Sequence, residues 1–178
     1  MLLLLCLTPV AHADENPAGR TRTGEVGDAL EYIIPAVALT GTLFNKDWQG
    51  SKQFSLGLLS TLALSHGLKA VISKERPDGR DDNSFPSSHT AVSVHAAAYL
   101  HERYGWRYGL PAYVAAAYVG YSRVHDERHD EQDVLVGALL GYASAKLLTT
   151  RYERLRVTPM VGEVRGEDAV GLTVSYRF

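Results

Sequence analysis

Between Ser122 and Asp133 the chain sets a guanidinium, an imidazole and a carboxylate within twelve positions. The spacing reads Ser122-Arg123, five residues, His129, three residues, Asp133. An apolar, small-residue stretch follows from Val134 to Leu148, so His129 and Asp133 fall in or just before the first turn of a helix. Side chains four apart on a helix share a face. A carboxylate so placed accepts a hydrogen bond from one imidazole nitrogen, fixes the tautomer and leaves the other nitrogen free as base, nucleophile or ligand. That is equipment for handling phosphate or a metal.

Two other groups lie upstream. Lys69 and Arg76-Pro77 are seven apart, close to two helical turns, which predicts an ammonium and a guanidinium on one face about 10 Å apart along the axis. Pro77 disfavours helix at the residue before it, so Arg76 hangs from the frayed end. Cations there also complement the helix dipole, which is the plain structural reading of the pair. Pro86-Ser87-Ser88-His89 leads into Thr90–Tyr104. Proline and serine start helices, and the N–H groups of an opening turn point at any anion in front of it. Ser87 and Ser88 therefore read both as caps and as anion donors, and His89 stands where it could protonate that anion.

The elements that must carry these groups are five apolar stretches: Leu30–Phe44, Phe54–Ile72, Thr90–Tyr104, Leu110–Tyr121 and Val134–Leu148. Ala, Leu and Gly dominate them, and the spacing of their polar residues suits packed helices. Only Phe54–Ile72 approaches the roughly 20 residues that cross a bilayer, and it carries His66 and Lys69, so it reads as a buried helix. The mean hydropathy of -0.11 points the same way, to a soluble or membrane-surface protein. At the C-terminus Val170, Leu172, Val174, Tyr176 and Phe178 alternate with polar or small residues, a strand signature. Val157–Val164 is its expected hairpin partner through Arg165–Asp168, the pair packing on the helices.

The 178 residues suit one domain, and a net charge of -2 gives no electrostatic case for nucleic acid. Met1–Ala13 reads as a signal peptide, or else an N-terminal anchor: an apolar run ends in the small-x-small pattern Ala11-His12-Ala13. Cleavage before Asp14 would remove Cys6, the only cysteine, leaving a thiol-free chain suited to an oxidising compartment. Residues 14–27 read as a flexible N-terminal segment, 28–152 as the helical domain and 153–178 as the hairpin appendage.

Taken together, Lys69-x6-Arg76-Pro77, Pro86-Ser87-Ser88-His89 and Ser122-Arg123-x5-His129-x3-Asp133 resemble the tripartite signature of the type 2 phosphatidic acid phosphatase and vanadium haloperoxidase superfamily. The resemblance implies an all-α fold, a compact helical bundle, here with a small β-hairpin appended. It further implies that His129 attacks phosphorus to form a phosphohistidine, that Asp133 orients it, and that His89 protonates the leaving oxygen and then activates water. Lys69, Arg76 and Arg123, with Ser87, Ser88 and the backbone there, would bind the phosphoryl oxygens. Three fixed cations suit a transition state whose charge gathers on those oxygens. Activity would need His89 protonated and His129 unprotonated, a bell-shaped pH profile. No metal or other cofactor is implied. One departure is visible, since the third position of the middle motif is usually glycine and here is Ser88, which we expect to tune specificity.

The motifs read only the phosphoryl group. The implied substrate is a phosphorylated membrane lipid (phosphatidate-like, phosphatidylglycerophosphate, isoprenoid diphosphate or lipid A), with soluble phosphomonoesters as the alternative. The expected location is the periplasm, soluble or at the membrane surface, with the inner membrane as alternative. Three rival readings remain: a metal-dependent hydrolase using His125, Asp126, His129, Asp130 and Asp133, a vanadium haloperoxidase, and a noncatalytic envelope protein. The sequence leaves the oligomeric state open.

Overall fold

The computed structural model describes residues 21–152, 155–164 and 167–176; the leader lies outside them. Five helices follow in order: α1 (Arg22–Phe44), α2 (Trp48–Val71), α3 (Ser88–Tyr104), α4 (Trp106–His125) and α5 (Glu131–Leu148). Four of them start at a side chain that accepts a backbone N–H of the first turn: Thr21 from Gly24, Asp47 from Gly50, Ser87 from Thr90 and Asp130 from Asp133. The first cap corrects the expected boundary. Helix begins at Arg22 because Thr21 both caps it at 3.1 Å and donates a hydrogen bond to Asp126 at 2.6 Å.

α3 is the central helix and packs against each of the other four. Its alanines make this possible, with Ala91, Ala96, Ala97 and Ala98 buried beside Tyr99 and His95. Glycines bring its neighbours to backbone contact. A Cβ on Gly137 of α5 would lie 2.4 Å from the Ser87 carbonyl oxygen, and one on Gly27 of α1 would lie 2.0 Å from Ser122 Oγ on α4.

The outer helices are patterned inside out relative to a water-soluble bundle. α2 turns Gly50, Phe54, Gly57, Thr61 and Ser65 inward, while Leu56, Leu59, Leu64 and Val71 are exposed. α1 buries Gly24, Gly27, Ile34, Ala38 and Thr42 and exposes Tyr32, Ile33, Val37, Leu43 and Phe44. α5 does the same with Gly137, Gly141, Ser144 and Ala145 inside and Leu135, Leu139 and Leu147 outside. Small residues between helices and large aliphatic ones around them is the arrangement lipid selects, because tails offer no hydrophobic penalty to an exposed leucine. The expectation that α2 is a buried core helix is therefore corrected. α1 and α2 are each long and apolar enough to cross a bilayer.

At the end where α2 starts and α3 stops, the buried Asp47 carboxylate receives Arg103 Nε at 2.7 Å and Nη2 at 2.5 Å, with Tyr104 Oη at 2.9 Å. Arg103 Nη1 also donates to the Thr150 carbonyl at 2.6 Å, tying the end of α5 to the same clasp. Sequence reading missed this pair, since residues fifty-six apart carry no local signal.

β1 (Leu155–Val164) and β2 (Glu167–Tyr176) form an antiparallel hairpin with Val157 opposite Val174 and Val161 opposite Val170. The pairing follows the alternation in the sequence, but the placement does not. Among the described residues neither strand packs on a helix, and Val161, Val170, Leu172 and Val174 are exposed. The hairpin leaves the bundle at the end of α5, past the Arg103 clasp.

Candidate active site

The up-and-down course of the helices gathers the chemistry at the opposite end. The start of α1, the loop after α2, the start of α3, the end of α4 and the start of α5 all meet there. Asp28, Glu31, Arg76, His89, Arg123, Asp126, Arg128 and His129 line one cavity of about 310 Å³. The two imidazoles that the motifs single out thus share one cavity.

His129 stands one residue before the N-cap of α5 and is nearly buried. Asp133, fully buried, is the third residue of that helix and completes a capping box with Asp130. The expected hydrogen bond between them is not made. His129 Nδ1 lies 3.7 Å from Asp133 Oδ2, and Nδ1 has no hydrogen-bond partner among the described residues. The carboxylate is occupied elsewhere. It receives Lys74 Nζ at 2.8 Å, the Ser84 hydroxyl, and the Asp130 N–H at 3.2 Å. Lys74 also binds Asp130 at 2.5 Å. Burial alone would lower the Lys74 ammonium, but its hydrogen bonds to Asp130 and Asp133 outweigh that and hold it above its usual range. Neither Lys74 nor Ser84 was found from the sequence. Both lie between motifs, and only a fold that returns residues 74–84 to α5 exposes their role.

Burial comes first in setting the His129 imidazole, followed by the positive charges of Arg76 and Lys69, and together they push it down to about 4 while Asp133 pulls the other way. A neutral ring is what a nucleophile or base at this position requires.

Arg123 is buried because α1 and α4 touch at Gly27. Its guanidinium donates to Asp28 at 2.6 Å, to the Gly24 carbonyl at 2.9 Å and to Ser122 Oγ at 3.1 Å, so it is rigid before any ligand arrives. Arg76 does not hang from α2. The helix ends at Val71, and the chain then pairs Lys74 with Asp82 and Arg76 with Asp81 through backbone hydrogen bonds, which carries Arg76 over to donate to the Arg128 carbonyl at 3.1 Å. The expected two-turn spacing of Lys69 and Arg76 on one helix face is corrected accordingly. Lys69 stays on α2, donates to the Asn83 carbonyl at 2.7 Å and does not line the cavity, though its charge reaches His129. Ser87 caps α3 with its hydroxyl, and Ser88 Oγ is buried without a hydrogen-bond partner among the described residues; neither lines the cavity. His89, half-exposed, does.

The residues of the metal-hydrolase reading are drawn apart. His125 pairs with Asp126 at 3.2 Å, whereas Asp130 and Asp133 share Lys74. Among the described residues no three His, Cys, Asp or Glu side chains converge as a metal site would need. Asp126 is buried at its side chain, where it accepts a hydrogen bond from Thr21.

A family model described as the PAP2 superfamily matches residues 51–156. The chain belongs to the PAP2 superfamily. That span contains all three motifs and everything in the cavity except the α1 face with Asp28 and Glu31. The chain is 29% identical over 190 residues to a "Lipid A 4'-phosphatase" of Helicobacter pylori, covering 99% of this chain and 95% of that protein. It is 35% identical over 96 residues to a "Lipid A 1-phosphatase" of Porphyromonas gingivalis, covering 52% of this chain and 22% of that much longer protein. The crystal structure of Aquifex aeolicus LpxE has the same PAP2 fold, with a TM-score of 0.59, 21% identity, and coverage of 75% of this chain and 87% of the other.

Proposed function

We propose that this PAP2 protein is a phosphatase of a phosphorylated membrane lipid, lipid A in the first instance, working through a phosphohistidine at His129. The observation that carries the proposal is a cavity presenting three guanidiniums and two imidazoles at one end of a bundle whose outward faces are rich in leucine, isoleucine and valine. A lipid phosphate held in a bilayer presents its headgroup at that height and its tails alongside the helices. The lipid A class rests on the relative that aligns over nearly the whole chain.

In this reading α1 and α2 cross the membrane and the cavity faces the periplasm. If the leader Met1–Ala13 is cleaved, the start of α1 lies outside, and α1 and α2 then run in and back out, delivering Lys69, Lys74 and Arg76 to the outer side. Arg76, Arg123 and Arg128 bind the phosphoryl oxygens, with the charge of Lys69 behind them. His129 attacks phosphorus in line as the leaving oxygen takes a proton from His89. Asp133, held by Lys74 and Ser84, stabilises the positive ring of the phosphohistidine. Water, deprotonated by His89, then displaces His129 and releases phosphate. No step calls on a metal.

Phosphate release from lipid A, phosphatidate, an isoprenoid diphosphate and nucleotides, each with and without detergent micelles, tests this. Lipid A in micelles should exceed nucleotides by at least about tenfold in kcat/KM. A preference for nucleotides without detergent would overturn the lipid assignment.

The depressed His129 ring makes a second prediction. With its proton lost down to about 4 in the free enzyme, kcat/KM corrected for substrate ionisation should hold through the range where an ordinary imidazole gains its proton and fall only toward pH 4. Arg76→Met removes one of the repelling charges and should move that acid limb upward. A limb at the ordinary histidine position in both proteins would contradict the assignment.

A further inference from the structure

The α1 face of the cavity lies outside the three motifs and before the start of the matched family span, and it carries two carboxylates. Asp28 and Glu31 are three apart and so share a face of α1. Both reach the same ring nitrogen: Glu31 Oε2 lies 3.0 Å and Asp28 Oδ1 3.6 Å from His89 Nε2. Asp28 is already engaged by Arg123. Glu31 is not so engaged. Its Oε2 is buried and accepts no hydrogen bond among the described residues.

Two facts about this placement call for a reason. A carboxylate beside a cavity lined by Arg76, Arg123 and Arg128 opposes the binding of a phosphate dianion, and a buried carboxylate oxygen without a donor is costly. Both costs are offset if the neighbour is a cation when it matters. The charged groups around His89 are Asp28 and Glu31 from α1, Arg123 and Asp126 from α4, Arg128 and His129 from the following loop, and Arg76 from the loop after α2. Of the two carboxylates that reach the ring, Glu31 is the nearer.

We propose that Glu31 is the positioning residue of His89, so that the site works with two imidazole–carboxylate pairs, Glu31–His89 for proton transfer and Asp133–His129 for phosphoryl transfer. The inference rests on the phosphatase reading above. Glu31 holds Nε2 and stabilises the imidazolium, and the other ring nitrogen meets the leaving oxygen. In the first step the phosphorus–oxygen bond to the leaving group breaks as the bond from His129 nitrogen to phosphorus forms, and the proton on His89 passes to the departing oxygen. In the second step His89 takes a proton from water, the new oxygen–phosphorus bond forms and the nitrogen–phosphorus bond breaks. Glu31 exchanges no proton in either step. It acts by charge and by fixing the ring, much as a buried aspartate does for the histidine of a serine hydrolase.

The test is leaving-group dependence in Glu31→Gln, which keeps the side chain's shape and removes its charge. Phosphoryl transfer to the enzyme is followed in a single turnover with p-nitrophenyl phosphate, whose leaving group needs no proton, and with an alkyl phosphate, whose leaving group does. The alkyl substrate should slow by at least about tenfold while p-nitrophenyl phosphate stays within about threefold of the wild type. Glu31→Asp should recover part of the alkyl rate. Equal losses with both substrates, or a variant that melts early and loses both, would mean that Glu31 only supports the fold and would overturn the proposal, as would no loss with either. If the wild type forms no phosphohistidine, the covalent step of the proposed function fails, and the same contrast read in kcat/KM still decides the role of Glu31.

Discussion

Replacing His129 with alanine should lower phosphate release by at least about a thousandfold, because it removes the group to which phosphorus is transferred in the proposed mechanism. The structure sharpens this expectation. The ring is buried in the cavity that gathers Arg76, Arg123, Arg128 and His89. Binding should survive better than turnover, since the guanidiniums stay: Arg123 is held by Asp28, Gly24 and Ser122 and Arg76 by Asp81 and Arg128, none of which involves His129. The measurement is kcat on a lipid phosphate in micelles, with an acid-labile, alkali-stable phosphoenzyme sought in parallel. Activity within tenfold of the wild type would show that phosphorus is transferred elsewhere.

Asp133→Asn should cost about a hundredfold to ten-thousandfold in kcat and, unlike His129→Ala, should also cost stability. Asp133 is fully buried at the junction of three segments: Lys74 and Ser84 from the loop after α2, the Asp130 N–H from the start of α5, and His129. An amide keeps the outline but presents two hydrogens where donors already point. Lys74 or Ser84 must then lose its acceptor, a loss of order 1–3 kcal/mol for a buried group. The kinetic loss has a separate origin. In the proposed mechanism the phosphorylated ring of His129 carries positive charge that a neutral amide no longer stabilises, so the variant should slow phosphoenzyme formation in a single turnover. Thermal unfolding and single-turnover kinetics together separate the two effects. Unchanged kinetics in a destabilised protein would reduce Asp133 to a helix cap.

The other partners of Asp133 account for the 3.7 Å between it and His129 in the free protein. With Lys74 and Ser84 drawing on the carboxylate, its pull on the imidazole is weakened, and burial and the nearby cations keep the ring neutral. A phosphate dianion would cancel part of that positive field, so the pair is set to tighten as charge moves onto His129.

Much of this protein is legible in its residues. Five helices, their order, the hairpin and the three motifs follow from local information: Thr90–Tyr104 and Val134–Leu148 are apolar and rich in alanine, leucine and valine, Ser87 and Asp130 cap, and Val170 to Tyr176 alternate. Such signals act between neighbours along the chain, so they need no tertiary context. What α2 faces is a different matter. Its composition is the same whether leucines turn inward or outward, and only packing against α3, where Gly57 meets His95 and a Cβ would stand 2.4 Å from that ring, decides that the small residues go inside and the leucines outside. The same holds for the site. Motif spacing names Lys69, Arg76, Ser87, Ser88, His89, Arg123, His129 and Asp133, yet it does not sort those that line the cavity from Lys69, Ser87, Ser88 and Asp133, which do not. Glu31 and Lys74 carry no signature, because a carboxylate on α1 or an ammonium in a loop looks like any solvated charge. They acquire meaning only where the fold closes α1 over His89 and folds the loop after α2 against Asp133, contacts between residues 58 and 59 positions apart that no local preference encodes.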